Sequence, residues 1–386
     1  MSLNYELSEE QNILRQSVRS FAEKVIKPVA RELDEKEEFS VEITKEMGKM
    51  GLLGMFVSPE YGGSGLDYVS YIIAVEEIAR IDGSHAATIA AGNSLGIGPI
   101  YYFGNEEQKK YWLPPLCSGN MLAGFGLTEP NAGSDAGNSQ TTAVLDGNEW
   151  VINGSKIFIT NAANDMTGVI IVQAVTGKRD DGKKEISCIL VPADAKGLTK
   201  KAMKGKLMWR ASNTAELYFD DLRVPKENIL GKRGEGFHQM LSTLDGGRLS
   251  IGSMGLGGAQ GAFELAVRYA KERVQFGQPI ANFQINQFKI ADMAMEIELA
   301  RNLLYKACWL RDNKKPFAKH AAMAKLYCSE VMRRVANEAV QIHGGYGLMK
   351  EYNVERFFRD YKLLEIGEGT SEVQRIVISR YVMNEY

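Results

Sequence analysis

Thr141-Thr142-Ala143-Val144-Leu145-Asp146-Gly147-Asn148-Glu149-Trp150-Val151-Ile152-Asn153-Gly154 is where the hydrophobic period of the chain changes. Before this stretch apolar residues recur every three or four positions. Here short runs of β-branched and aromatic residues are broken by Asp-Gly and Asn-Gly pairs, a pattern that predicts strands joined by tight turns. The expected strands are Thr141 to Val144, Trp150 to Ile152, Lys156 to Thr160, Gly168 to Val175, Glu185 to Val191 and Ala215 to Phe219. Hairpin turns are expected at Asp146-Gly147, Asn153-Gly154 and Asp181-Gly182. None of these strands feeds a long helix, and the chain has neither a strand-to-helix GxGxxG nor a Walker loop, so a Rossmann unit is not expected. Residues from about 121 to 233 read as a compact antiparallel β-domain.

On the N-terminal side the pattern is helical. Ser8-Glu9-Glu10-Gln11 is a capping box, followed by Leu14, Val18, Phe21 and Val25 on one apolar stripe. Helical spacing continues from Val41 to Met50 and from Tyr68 to Ile81, and Ala86 to Tyr102 is small and apolar, so residues 1–120 read as an α-helical domain. On the C-terminal side Ile290, Met293, Ile297, Ala300, Leu304 and Ala307 form one stripe, and Ala324, Cys328, Val331, Val335 and Ile342 another. An earlier helix carries Gly252, Gly255 and Ala259 on a narrow face that admits a second backbone or a flat ligand. Residues 234–386 therefore read as a four-helix bundle. The expected fold class is α+β: an N-terminal α-helical domain, a central antiparallel β-domain and a C-terminal four-helix bundle.

Composition limits the partners. A net charge of −2 gives no basic face for nucleic acid and no polybasic membrane anchor. Cys117, Cys188, Cys308 and Cys328 lack CxxC spacing, and His85, His238, His320 and His343 lack metal-ligand spacing, so no disulfide framework and no metal site are expected. The start, Met1-Ser2-Leu3-Asn4-Tyr5-Glu6, has no secretory pattern, and no run approaches the ~18 apolar residues of a membrane span. The expected location is cytoplasmic, or the mitochondrial matrix if a presequence has been removed.

Five stretches carry polar residues suited to chemistry. In Leu363-Leu364-Glu365-Ile366-Gly367-Glu368-Gly369-Thr370-Ser371-Glu372-Val373-Gln374, a carboxylate stands between two glycines, with Ser371 and Gln374 spaced as a capping box. This suits a proton-abstracting base thrust into a pocket; it equally suits an acid beside a helix N-terminus. Phe125-Gly126-Leu127-Thr128-Glu129-Pro130-Asn131-Ala132-Gly133-Ser134-Asp135 is either a loop wrapping a polar ligand or a domain linker. Phe158 and Thr160 point the same way from one strand, which suits the edge of a heterocycle or ordinary packing. Arg273, in Glu272-Arg273-Val274-Gln275-Phe276-Gly277, either satisfies a helix dipole or grips a pyrophosphate. Gln341-Ile342-His343-Gly344-Gly345-Tyr346-Gly347 ends a helix with more glycines than a Schellman stop needs.

In this order and spacing, over nearly the whole chain, these segments resemble the acyl-CoA dehydrogenase family of flavoenzymes. The resemblance implies non-covalent FAD and α,β-dehydrogenation of an acyl-CoA thioester, with electrons passed to electron-transfer flavoprotein. Glu368 matches the base that removes the α-proton while the β-hydrogen leaves as hydride. Phe125, Leu127, Thr128, Gly133, Ser134, Phe158 and Thr160 match residues around the flavin ring, and Ser134 also matches a contact to the CoA chain. Arg273, Phe276 and Gln284 match contacts to the pyrophosphate and adenosine, with Gln341, Gly344 and Gly345 supplied by a neighbouring subunit. Thr370 and Glu372 fall where the family holds more of the FAD. Leu244, Asp245, Arg248, Gly367 and Gly369 match the substrate site. A shared FAD implies a homotetramer built as a dimer of dimers.

Three departures bear on substrate. Straight-chain members carry a tyrosine where this chain has Gly367, which implies room for a short, branched or alicyclic acyl group. Gly247 offers no side chain for the alternative base position used by some relatives. The stretch from Ala86 to Leu95 lacks the arginine that glutaryl-CoA-oxidising relatives place ahead of it, so dicarboxylic acyl groups are disfavoured. The competing readings are an acyl-CoA oxidase, recognised by peroxide release, and a catalytically silent scaffold of the same fold, recognised by protein without flavin.

Overall fold

The computed structural model describes residues 6–386, so the reading of Met1 to Tyr5 lies outside the described residues. The chain begins with helices α1 (Glu9–Phe21), α2 (Ala30–Lys36), α3 (Val41–Lys49), α4 (Tyr68–Ala79), α5 (Gly83–Ala91), α6 (Gly98–Phe103) and α7 (Glu106–Cys117). The Ser8 and Gln11 side chains close the expected capping box on α1. The stripe holds as far as Phe21. A π-helical turn over Ala22–Ile26 then widens the spiral, so that Ala22 and Ile26 face inward and Val25 is exposed.

The middle of the chain forms strands β1 (Leu122–Gly126), β2 (Thr142–Asp146), β3 (Glu149–Thr160), β4 (Thr167–Lys178), β5 (Lys184–Pro192), β6 (Leu198–Ala202), β7 (Thr214–Pro225) and β8 (Ile229–Leu230). Their order is β6-β7-β3-β2-β4-β5-β8, with β1 beside β4. The sheet is mostly antiparallel, but not wholly as expected. β1 runs parallel to β4, and β2 meets β4 in parallel at Thr142 and Val175. The Asp146 and Asp181 turns form as expected; Asn153-Gly154 does not turn. It sits at a bulge inside β3, where Gly154, with φ of 141°, lies against Thr141.

Burial explains why this sheet docks where it does. β3 and β7 alternate buried and exposed residues, so one face meets solvent. β4 is buried on both faces: Ile170, Val172 and Ala174 join the β-domain core, while Val169 and Ile171 join the helical core with Phe125 of β1. A continuous apolar run is the signature of such a strand. β1 and β4 thus present the polar loop after Gly126 to the helices.

The last part contains α8 (Gly236–Glu272), α9 (Gln284–Asp312), α10 (Ala318–His343), α11 (Val354–Ile366) and α12 (Ser371–Met383). Five helices stand where four were expected, because the chain leaves helix at Gly367 and re-enters it at Ser371. The glycine stripe of α8 receives backbone, not a ligand. A Cβ on Gly255 would lie 2.9 Å from the Cys328 carbonyl oxygen of α10, and one on Gly257 2.3 Å from the Glu76 carbonyl oxygen of α4. Both stripes expected on α9 and α10 are buried, apart from the partly exposed Ile290. The three parts meet at Asp360 of α11, whose Oδ1 accepts from the Trp209 N–H at 3.0 Å, and whose Oδ2 crowds Gly83.

Candidate active site

Helix α11 ends at Ile366, and four residues later Thr370 caps α12 by accepting from the Val373 N–H at 3.2 Å. The cap is therefore Thr370, one residue before the Ser371 expected. Gln374, freed from capping, reaches back and donates its amide to the carbonyls of Glu368 and Gly369 at 3.2 and 2.9 Å. Between the helices Glu368 takes φ of 52° and Gly369 φ of 90°. A left-handed non-glycine residue costs about 1–3 kcal/mol unless its surroundings enforce it, and such strain concentrates at functional sites. Here the Gln374 amide, together with Lys325 Nζ bound to the Gly369 carbonyl at 2.7 Å, enforces it.

The geometry aims the Glu368 side chain at α8. Its Oε2 is buried and has no hydrogen-bond partner, and a Cβ on Gly247 would fall 1.9 Å from it. The carboxylate therefore occupies the space that a side chain at position 247 would take. Nearby, Arg248 is buried and paired with Asp245. Arg248 Nε, Ser371 Oγ and Gln374 Oε1 are further buried atoms without partners. Buried polar atoms are rarely left unpaired, so several around one carboxylate mark a place built to receive a polar ligand. Burial pushes the Glu368 carboxyl up to about 7, against the Lys325 ammonium and the Arg248 guanidinium, which pull it down. Burial likewise raises Asp245, opposed by Arg248 and Arg311.

A second group of candidates lies on the β-domain. Phe125 is buried at the end of β1, while Phe158, with φ of 62°, exposes most of its ring. Leu127 and Thr128 are tied to β3: the Leu127 carbonyl accepts from Lys156 Nζ at 3.1 Å and the Thr128 carbonyl from the Ile157 N–H at 2.9 Å. Space is open around Gly133, and Ser134 is exposed. The residues that hold this loop escaped the sequence reading. Lys156, fully buried, meets Glu129 at 2.6 Å, and Glu129 also accepts from Ser139 Oγ and the N–H groups of Gln140 and Thr141. Burial works against the Glu129 charge, yet Lys156 outweighs it and holds the carboxyl at about 2. A lysine within a strand and a glutamate thirteen residues before β2 gave no local sign of pairing.

The third group lies at the far end of α8. Arg273 stacks over the Tyr346 ring at 5.5 Å, and an open cleft of about 620 Å³ is lined by Arg273, His343, Gly344, Gly345 and Tyr346. Among the described residues the Arg273 guanidinium has no carboxylate partner. His343 is held between the Ala339 carbonyl and the face of Tyr269, a packing role. Phe276 is 93% exposed with φ of 52°, and Gln284 and Gln341 also face outward. The chain thus brings Glu368, Gly247, Arg248 and Asp245 together, and separately Arg273 with Gly344 and Gly345. The two groups do not meet within one chain. Among the described residues no cluster could hold a metal ion, and no helix is long and apolar enough to cross a membrane.

An acid with a buried, unpaired oxygen and a raised pKa, next to the Asp245–Arg248 pair and packed against α8 and α10, defines a site suited to acid–base chemistry. Three profiles locate it further: acyl-CoA dehydrogenase N-terminal domain over residues 8–120, middle domain over 124–222 and C-terminal domain over 234–383. The chain belongs to the acyl-CoA dehydrogenase family. It is 54% identical to a probable acyl-CoA dehydrogenase of Bacillus subtilis over 99% of this chain and all of that one. It is 47% identical to the short-chain specific acyl-CoA dehydrogenase of Clostridium acetobutylicum, covering 98% and 99% of the two chains. The solved butyryl-CoA dehydrogenase of Megasphaera elsdenii superposes with a TM-score of 0.95 at 43% identity, covering 99% of this chain and all of that one. An acyl-CoA dehydrogenase of Bacillus anthracis, solved with FAD, superposes with a TM-score of 0.93 at 36% identity over all of this chain and 68% of that one.

Proposed function

We propose that this FAD-dependent acyl-CoA dehydrogenase oxidises short acyl-CoA thioesters, with Glu368 as the base that takes the α-proton. The observation that carries the reading is the buried, unbonded Oε2 of Glu368, held against Gly247 by a strained loop. An acid poised at about 7 is ionised often enough at neutral pH to accept a proton, and basic enough to compete for a weakly acidic C–H. Loss of that proton builds negative charge on the thioester oxygen. The Glu368 backbone N–H, which among the described residues donates to no other group, is available to bind that oxygen as the charge grows. Arg248 and Asp245 line the approach and orient the pantetheine-bearing end of the substrate.

The residues present fit FAD. Phe158 offers an exposed ring, Thr160 lies on the same strand, and the Arg273 guanidinium, without a carboxylate partner among the described residues, matches a pyrophosphate in charge and fork geometry. When bound, FAD supplies the acceptor for the β-hydrogen, leaving as hydride. Thr370 uses one lone pair of its hydroxyl oxygen on the α12 cap, which leaves its O–H as a donor. Electron-transfer flavoprotein is the proposed acceptor. Support comes from a chain 44% identical, TM-score 0.95, solved in work on the electron-transferring flavoprotein of Acidaminococcus fermentans. A cytoplasmic location accompanies this reading.

The acyl pocket owes its width to Gly367. Its backbone is extended, and a Cβ there would meet only Leu363, at 3.2 Å from the end of its side chain and 3.4 Å from its carbonyl oxygen. A glycine at this position favours a short straight chain or one branched at the β-carbon. Anaerobic mixing of the yellow holoenzyme with thioesters tests both parts. Glu368→Gln keeps its flavin but bleaches more slowly by at least about 10²–10⁴-fold; bleaching at the normal rate would place the base elsewhere. Gly367→Tyr slows branched or cyclic acyl-CoA more than butyryl-CoA, and equal slowing would remove Gly367 from the selection of substrate.

A further inference from the structure

Two lysines of this chain are fully buried, and they are treated differently. Lys156 has the Glu129 carboxylate at 2.6 Å. Lys325, on α10, has no carboxylate within ion-pairing distance among the described residues. Its ammonium meets only the carbonyl of Gly369, at 2.7 Å. A buried charge is ordinarily paired, because removing it from water without compensation is expensive. One left unpaired, and bound to the carbonyl of the residue next to the proposed base, calls for an explanation that packing does not supply.

We propose that Lys325 is the positioning residue of the Glu368 loop, gripping the Gly369 carbonyl from beneath while its charge keeps the neighbouring carboxylate ionised without bonding to it. The inference rests on the reading of Glu368 as the base. A direct ion pair would occupy the oxygen that must receive the proton. A cation anchored to the adjacent carbonyl supplies the field and leaves that oxygen free. The support is continuous: α10 also holds the preceding turn, since Ser329 Oγ donates to the Leu364 carbonyl at 3.0 Å. Gln374, from the other side, holds the same Gly369 carbonyl. The groups that face Glu368 are Lys325 of α10, Arg248 of α8 and Tyr71 of α4. Those that face Lys325 are Glu368, Arg248, Glu365 of α11 and Glu372 of α12. Burial lowers the Lys325 ammonium to about 8, so it remains largely charged at pH 7.

The test is an infrared titration of the Glu368 carboxyl in the resting holoenzyme, its band assigned by its loss in Glu368→Gln. Lys325→Met removes charge and donor together. Lys325→Gln keeps an amide donor without charge and carries the measurement should the methionine variant fail to fold. Both are expected to raise the carboxyl midpoint by about 1–2 pH units, since an opposite charge within a few ångströms favours the ionised form by that much. The acid limb of flavin reduction moves upward by the same amount, with kcat at pH 7 falling more than KM changes. Lys325→Arg restores the midpoint. An unmoved midpoint in both neutral variants overturns the role given to Lys325 while leaving the base in place. Normal bleaching by Glu368→Gln overturns the base, and this inference with it.

Discussion

Glu368 holds a conformation and a charge state that folding alone would not choose. Its backbone is left-handed, and burial lifts its carboxyl from an ordinary 4.5 to about 7. A carboxyl with a raised folded-state pKa binds its proton more tightly in the native protein. That contribution to stability is whole below about 4.5 and is lost as pH rises through about 7. Glutamine escapes the loss. Glu368→Gln, at matched flavin content, is therefore expected to be more stable than the parent at pH 8 by about 1–3 kcal/mol. At pH 4.5 the difference should vanish; parallel melting curves at both pH values would show that the acid is not buried at a cost. The same variant loses catalysis, so stability and activity pull apart at this residue. The acid and its flanking glycines were legible in the sequence because glycine pairs around a carboxylate are locally unusual. Its supports were not: Lys325 and Gly247 come from elements far away in sequence, and no local spacing links them to position 368.

At the scale of the element, α8 is a helix whose glycines are used in two ways, and substitution separates them. At Gly247 an added methyl group meets the tip of a side chain, Glu368 Oε2, which can swing aside. Gly247→Ala should therefore fold with little loss of stability yet slow flavin reduction on the order of 10²-fold, because a base displaced by an ångström loses its alignment. At Gly261 the same methyl group falls 2.1 Å from the Arg80 carbonyl oxygen of the neighbouring chain segment, a backbone atom that cannot yield without moving the helix. Gly261→Ala should lower stability by about 1–3 kcal/mol and leave the rate per folded molecule nearly unchanged. Denaturant melts paired with single-turnover reduction distinguish the two; a destabilised Gly247→Ala or a slowed but stable Gly261→Ala would reverse the assignment. The apolar periods foretold α8, α9 and α10 because these helices each bury a broad stripe. β1 and β6 went unread for opposite reasons. Leu122 to Gly126 has three glycine or alanine residues in five, and Leu198 to Ala202 carries Lys200 and Lys201 on an exposed edge. Asn153-Gly154 signals a residue with positive φ, and Gly154 uses that freedom at φ of 141° in a bulge, not in a hairpin turn.

Across the whole molecule, distance argues for a shared cofactor. Tyr269 stacks on His343 and Gly255 touches Cys328, so α8 and α10 run side by side in the same direction. Lys325 sits under the Glu368 loop, and His343 lines the Arg273 cleft. Eighteen residues of helix separate them, about 27 Å at 1.5 Å per residue. A ribityl linker joining a flavin ring to a pyrophosphate cannot cover that span, so an Arg273 that binds FAD serves a flavin facing the Glu368 of another copy. The chain offers a surface for such a copy: Ile285, Phe288, Met295, Leu299 and Trp309 lie exposed along one side of α9, beside the outward-facing Phe276. Exposed apolar stripes of this kind mark interfaces. Light scattering of the native protein is expected to give an oligomer, a dimer of dimers on the shared-cofactor reading. Phe288→Glu combined with Leu299→Glu should yield smaller species that have lost most of their yellow colour, although neither side chain belongs to the flavin-facing loop or to the Glu368 site. Arg273→Ala should weaken FAD while leaving the assembly intact, since it removes a phosphate contact and not the apolar face. A dissociated double variant that kept its full flavin would mean that one chain closes the site alone, and the distance along α10 would then have to be bridged by some other residues.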